Sequence, residues 1–220
     1  MSVGTLAQTG VARPSMRGRL HQIAFICSIP MGITLVAMGR TPLARASAAV
    51  YALSLAALYG VSASYHRLTW SPRARRRMRR LDHSTIFVLI AGTYTPVTVL
   101  VLTGVWRASI MVAVWAIALL GITLKITRIE RMDRLGVVLY VALGWTAIVG
   151  MPRIVANLSV AGIVLLVAGG VLHSAGAVVY ARRRPDPNPR VFGYHEVFHS
   201  LVIAGSLCHY ALITTLVLAR

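Results

Sequence analysis

Acidic residues are scarce in this sequence: five Asp and Glu among 220 residues, against 23 Lys and Arg. Charge of either sign is thin, at 13% of the chain, while 57% is hydrophobic and the mean hydropathy is +0.72. That balance excludes an ordinary soluble domain and points to a polytopic membrane protein. A basic excess in a soluble protein would suggest nucleic acid, but here the charges fall almost wholly in short gaps between apolar runs, where they act as topology signals; no nucleic-acid partner is expected. Cysteine is limited to Cys27 and Cys208. Both lie inside apolar runs, on different spans and toward opposite ends of the membrane, which excludes a disulfide or a shared metal and leaves packing roles. The opening stretch has no apolar core before its arginines and no small-residue cleavage site, so residues 1–20 read as a short tail that stays on the chain. No soluble domain, low-complexity tract or internal repeat lies outside the apolar runs.

A helix crossing a hydrocarbon core of roughly 30 Å needs about 20 mostly apolar residues. Seven runs qualify, at approximately 21–39, 47–66, 82–103, 108–124, 135–152, 158–180 and 193–218, separated by Pro, Gly or Arg clusters. The expected fold is an all-α membrane protein, a seven-transmembrane-helix bundle occupying residues 21–220. Alternate gaps carry 18 Lys and Arg on one side and five on the other. Positive loops are retained in the cytoplasm, so the N-terminus is expected inside and the C-terminus outside. The run from Arg73 to Arg80 is chiefly such a retention signal, with attraction to anionic headgroups as a secondary effect.

Within the last run, "FGYHEVFHS" contains His-Glu-x-x-His, a spacing by which one helix offers two imidazoles to a zinc ion with a Glu beside them. The topology supplies a different context for it. The second run ends "SASYH", with His66 at the cytoplasmic end and Ser62 one turn deeper on the same face. The third begins "LDHS", which puts Asp82 at that level, and His195 and His199 occupy the first two turns of the seventh. Three spans thus deliver His66, Asp82, His195 and His199 to one slab of membrane a turn or two thick, at about 1.5 Å per residue. Ionisable groups within a bilayer usually face the bundle interior and have partners. Three neutral imidazoles suit Zn2+, which keeps a fourth position open when it is catalytic. Asp82 is then a candidate to take a proton from water, and Ser62 to hold the water or polarise a carbonyl. Such a set has the makings of a hydrolase.

The segments "VSASYHRL" (61–68), "LDHSTIFVLIAGTYTPV" (81–97), "LGW" (143–145), "GGVLHSAGAVVY" (169–180) and "FGYHEVFHSLVIAGSLCHY" (192–210) resemble the haemolysin III family, in that family's order. This is the bacterial branch of the progestin and adipoQ receptor group, which includes the adiponectin receptors. The resemblance implies a seven-helix bundle in the bacterial plasma membrane with its N-terminus inside, and a zinc near the cytoplasmic face held by the residues matching His66, His195 and His199. The family's serine and helix-3 aspartate match Ser62 and Asp82. The adiponectin receptors and the related alkaline ceramidases imply hydrolysis of lipid amides, with membrane lipid as substrate, while a pore-forming activity has been proposed for bacterial members. The chain departs from the pattern at His173, where many relatives carry Tyr, and it lacks the long cytosolic domain of the eukaryotic receptors.

Plainer readings stand beside these. His195 and His199 at a helix start also suit interfacial hydrogen bonding. Asp82 at a helix start suits capping or pairing with Arg79 or Arg80. Ser62 suits a bond back to the carbonyl four residues earlier. Glu196, in a first helical turn, is favoured there by the helix dipole; with His66 and Asp82 available from other spans, the His-Glu-x-x-His match reads as fortuitous and an intramembrane metalloprotease as a minority alternative. A channel or pore with a structural zinc is the other alternative. His21 reads as interfacial, His83 as facing water or headgroups, His173 as bonded within the core and His209 as too far out to share the metal. Trp70, Trp106 and Trp145 read in part as interface anchors.

Overall fold

The computed structural model describes residues 14–128 and 133–219. Most of the N-terminal tail, with Arg13, lies outside these, as do Arg131 and Arg220. Eight helices follow in order: α1 (Arg19–Ala37), α2 (Pro42–Arg67), α3 (Pro72–Val101), α4 (Gly104–Arg128), α5 (Asp133–Gly144), α6 (Ala147–Val155), α7 (Val160–Arg182) and α8 (Tyr194–Ala219). They make seven segments long and apolar enough to cross a membrane, α5 and α6 together forming the fifth. No strand is present among the described residues.

Helix starts follow capping chemistry rather than hydropathy. Thr41 and Ser71 each accept a backbone N–H three residues on, from Ala44 and Ala74, and each is followed by proline at the first helical position. Consequently α2 and α3 begin at Pro42 and Pro72, not at the expected 47 and 82. Residues 73–80 hold no helix breaker, so the arginine run forms the opening turns of α3 instead of a loop. Ser159 caps α7 in the same manner through Gly162 N–H.

The fifth span is broken where one run was expected. Between α5 and α6 the Tyr94 hydroxyl, from α3, donates to the Gly144 carbonyl at 2.8 Å and accepts from Ala147 N–H at 2.6 Å. A backbone break at membrane depth is tolerated when the freed groups find partners in protein, and one phenol serves both.

Large apolar side chains such as Ile26, Ile33, Leu53, Val112 and Leu119 point outward, as the surface of a protein solvated by hydrocarbon should. The interior holds Tyr51, Phe87, Leu143 and Leu212. Close helix approach relies on small residues: a Cβ on Gly92 of α3 would collide with Ser54 of α2. Helix α8 packs against α1, α2, α3 and α7. Its first turns are therefore the place where side chains from several spans can meet.

Candidate metal centre

One ring nitrogen from each of His66, His195 and His199 lies within 4.8 Å of the others. His66 is on the last turn of α2, and the other two stand one turn apart on the first turns of α8. The Nε2 atoms of His66 and His195 are 3.1 Å apart. Their rings meet edge to face at 4.7 Å, and His199 stands edge-on to His195 at 4.5 Å. His195 and His199 are buried. Three converging imidazoles form a donor set suited to a borderline-soft divalent ion.

Asp82 and Ser62 adjoin this cluster. Asp82 Oδ2 is 3.9 Å from His66 Nε2, and the Ser62 hydroxyl is a hydrogen-bond partner of the Asp82 carboxylate. Because α3 starts at Pro72, Asp82 sits in its third turn, and the capping reading is corrected accordingly. The plainer alternative for Ser62 is a bond back along its own helix; Ser54, two turns earlier in α2, makes such a bond to the Tyr51 carbonyl at 2.7 Å, while Ser62 partners Asp82. All five residues singled out in the sequence come together at one end of the bundle.

Glu196 is engaged elsewhere. Its Oε1 forms a 2.6 Å ion pair with Arg17, and its Oε2 accepts Gly193 N–H at 2.9 Å. The second contact is the glutamate half of a capping box, closing the start of α8. With both carboxylate oxygens so held, the glutamate of His-Glu-x-x-His serves the helix end.

His21 is a correction. Expected at the interface, it is 3% exposed, stacked on the ring of His199, and neither of its ring nitrogens has a hydrogen-bond partner among the described residues. Two features deliver it there. Gly18, the N-cap of α1, has φ +77°, and a Cβ at that position would stand 2.7 Å from His66 Cβ; only glycine suits both the conformation and the approach. The preceding residues are tied down by Ser15 N–H and Met16 N–H, which donate to the carbonyls of Arg190 and Val191 at 3.0 and 3.1 Å. Common depth with the other imidazoles was the available sequence signal; the close approach at Gly18 was not readable.

A cavity runs from this cluster into the bundle, with Ser62, Asp82, His195 and His199 at one end and Ile86, Ile90 among its apolar walls. His83 lines it rather than facing water or headgroups. Trp145 also lines it, at the break between α5 and α6, and its indole N–H donates to Ser174 Oγ at 2.9 Å; it is not an interface anchor. Trp106, at the start of α4, is exposed as an anchor would be. Cys208 is half-buried, but Cys27 is exposed on the outer face of α1, so the packing role expected of both does not extend to Cys27. His173 donates from Nδ1 to the Gly169 carbonyl at 2.8 Å, and His209 stands apart from the three-histidine cluster.

A bundle of seven apolar spans with a histidine cluster at one end defines a polytopic membrane protein with a candidate metal site. The sequence model for haemolysin-III related proteins matches residues 9–210. The chain is 33% identical over 189 residues to the Hemolysin-3 homolog of Bacillus subtilis strain 168, covering 84% of this chain and 85% of that protein. It is equally similar to Hemolysin-3 of Bacillus cereus, again 33% over 189 residues, 84% of this chain and 83% of the relative. The chain belongs to the haemolysin III family.

Proposed function

We propose that His66, His195 and His199 hold a zinc ion and that the protein hydrolyses amide or ester bonds of lipids in the bacterial plasma membrane. The observation that carries this reading is the convergence of three imidazole nitrogens beside a paired Ser62 and Asp82 at the end of an apolar cavity. Nitrogens on one tetrahedral zinc, each about 2.0–2.1 Å from it, stand about 3.3 Å apart. The His66 to His195 separation of 3.1 Å is close to that edge. When bound, zinc supplies Lewis acidity and brings water to a nucleophilic state near neutral pH. Asp82 accepts the proton that the attacking water gives up and returns it to the departing amine or alkoxide, so that the carbonyl–nitrogen or carbonyl–oxygen bond breaks to leave a carboxylic acid and an amine or alcohol. Ser62 orients the Asp82 carboxylate. The apolar walls accommodate acyl chain.

The test is turnover. Zinc-loaded protein in lipid nanodiscs, incubated with a broad set of lipid amides and esters, is expected to release fatty acid, and Asp82→Asn to stop that release while keeping the zinc. Stoichiometric zinc with no turnover across the set would contradict the hydrolase reading. The names of the two Bacillus relatives support a second reading, membrane lysis with a structural zinc. It predicts leakage from liposomes that survives Asp82→Asn and Ser62→Ala.

A further inference from the structure

Helices α7 and α8 each carry Gly-x-x-x-His, at Gly169 to His173 and Gly205 to His209. The two copies interlock. A Cβ on Gly169 would collide with the His209 ring, and a Cβ on Gly205 with the His173 ring, so each glycine is the notch that receives the other helix's imidazole. The rings stack at 5.3 Å with planes 9° from parallel.

The hydrogen bonds fix the protons. His173 Nδ1 is 2.8 Å from the Gly169 carbonyl, and His209 Nε2 is 3.3 Å from the Leu166 carbonyl. A carbonyl only accepts, so each of these nitrogens carries its hydrogen. A charge on either ring inside a bilayer is costly, and neither ring has a carboxylate among its hydrogen-bond partners, so both are taken as neutral. His173 Nε2 and His209 Nδ1 are then bare acceptors, and no hydrogen bond among the described residues engages either. Both residues line the same cavity as Ser62 and His195, between apolar walls. An acceptor lone pair in such a place is unfavourable unless a donor reaches it, and alkyl chains have none.

The pair also lies in line with the metal cluster. His173 is seven residues before Tyr180, nearly two full turns and so on the same face of α7, about 10 Å deeper. The Tyr180 ring is 5.7 Å from that of His195. Along α8, ten residues separate His199 from His209, about 15 Å.

We infer that His173 and His209 form a second polar subsite, which receives a hydroxyl borne on the apolar part of an amphiphile whose polar head lies at the His66, His195 and His199 cluster. This rests on the lipid reading above and narrows its substrate class to hydroxylated chains. The experiment compares octadecanoic acid with 12-hydroxyoctadecanoic acid as ligands of the zinc-loaded, full-length protein in nanodiscs, by calorimetry. The hydroxy acid is expected to bind about three- to tenfold more tightly, the worth of one hydrogen bond. His173→Phe and His209→Phe are each expected to bring that ratio to one with zinc content unchanged; should one variant fail to fold, the other and the wild-type ratio still decide. Equal affinities in the wild type, as when the pair holds only water, would overturn the inference and leave the lipid reading standing, as would a ratio kept in both variants. Failure of both acids to bind would overturn the inference and the lipid reading together.

Discussion

The imidazole of His21 lies flat on that of His199, ring centroids 3.7 Å apart and planes within 8° of parallel. His21 thereby walls one side of a proposed ligand without itself joining the three-nitrogen cluster. Loss of such an orienting partner is expected to weaken metal binding. His21→Ala should lower zinc affinity about tenfold, the low end for groups that orient ligands, whereas His21→Phe, which keeps a flat ring, should stay within about threefold of wild type. Competition with a chromophoric chelator measures both. Equal losses in the two variants would mean that the nitrogens of His21, rather than its face, matter.

Asp82 and Ser62 stand beside the cluster without belonging to it, so metal binding and chemistry should separate. Asp82→Asn is expected to retain zinc and lose about 10²- to 10⁴-fold in hydrolysis, the usual contribution of a positioned acid or base. Zinc content and fatty-acid release, measured on one preparation, check this. Unchanged release would remove Asp82 from the chemistry.

Glu196 belongs to the architecture. Its buried carboxylate is paired with Arg17 and caps α8, so removing the arginine leaves a buried charge uncompensated. Arg17→Met is expected to destabilise by about 3 kcal/mol, and adding Glu196→Gln to restore much of that. Thermal melting in detergent reads both. Glu196→Gln alone should leave zinc binding intact; a membrane peptide cleaved by the wild type and not by a zinc-retaining Glu196→Gln variant would revive the metalloprotease reading.

Gly18 brings the chain across His66 with φ +77°. A side chain there meets both strain and a collision with His66 Cβ. Gly18→Ala is expected to cost about 1–2 kcal/mol in stability and to weaken zinc binding through displacement of His66. Wild-type zinc affinity in a destabilised Gly18→Ala protein would show that the tail and the cluster are uncoupled.

At the break in the fifth span, Tyr94→Phe deletes the hydroxyl that bonds both Gly144 and Ala147. Ala147 N–H is half-buried and has no water to turn to at membrane depth, so leaving it without its partner is expected to cost about 1–3 kcal/mol, read as a lowered melting transition. A melting transition unmoved by this change would mean that the break finds other partners.

Much of this was legible in the sequence because hydrocarbon imposes length. The seven runs, and the common level of His66, Asp82, His195 and His199, follow from apolar stretches and where their polar residues end. What hydropathy cannot register is helix outside the apolar slab. The Ser71–Pro72 cap and the arginine turns behind it extend α3 by ten residues, which changed the reading of Asp82 from a helix-start residue to one in a third turn. The break at Trp145 depends on Tyr94, 50 residues away, and the burial of His21 on a left-handed glycine and a tail packed over His66. These are long-range contacts, and local pattern carries no trace of them. The His173 and His209 pair was half visible: both residues stood out as polar within apolar spans, but their mutual approach depends on the glycine of the opposing helix.

The central claim is that imidazoles from α2 and α8 share one ion. Metal analysis of the purified wild type beside His66→Ala, His195→Ala and His199→Ala tests it without any substrate. The account predicts one zinc per chain in the wild type and its loss in all three variants. A wild type without zinc after purification in its presence, or full zinc retention in any one variant, would contradict it.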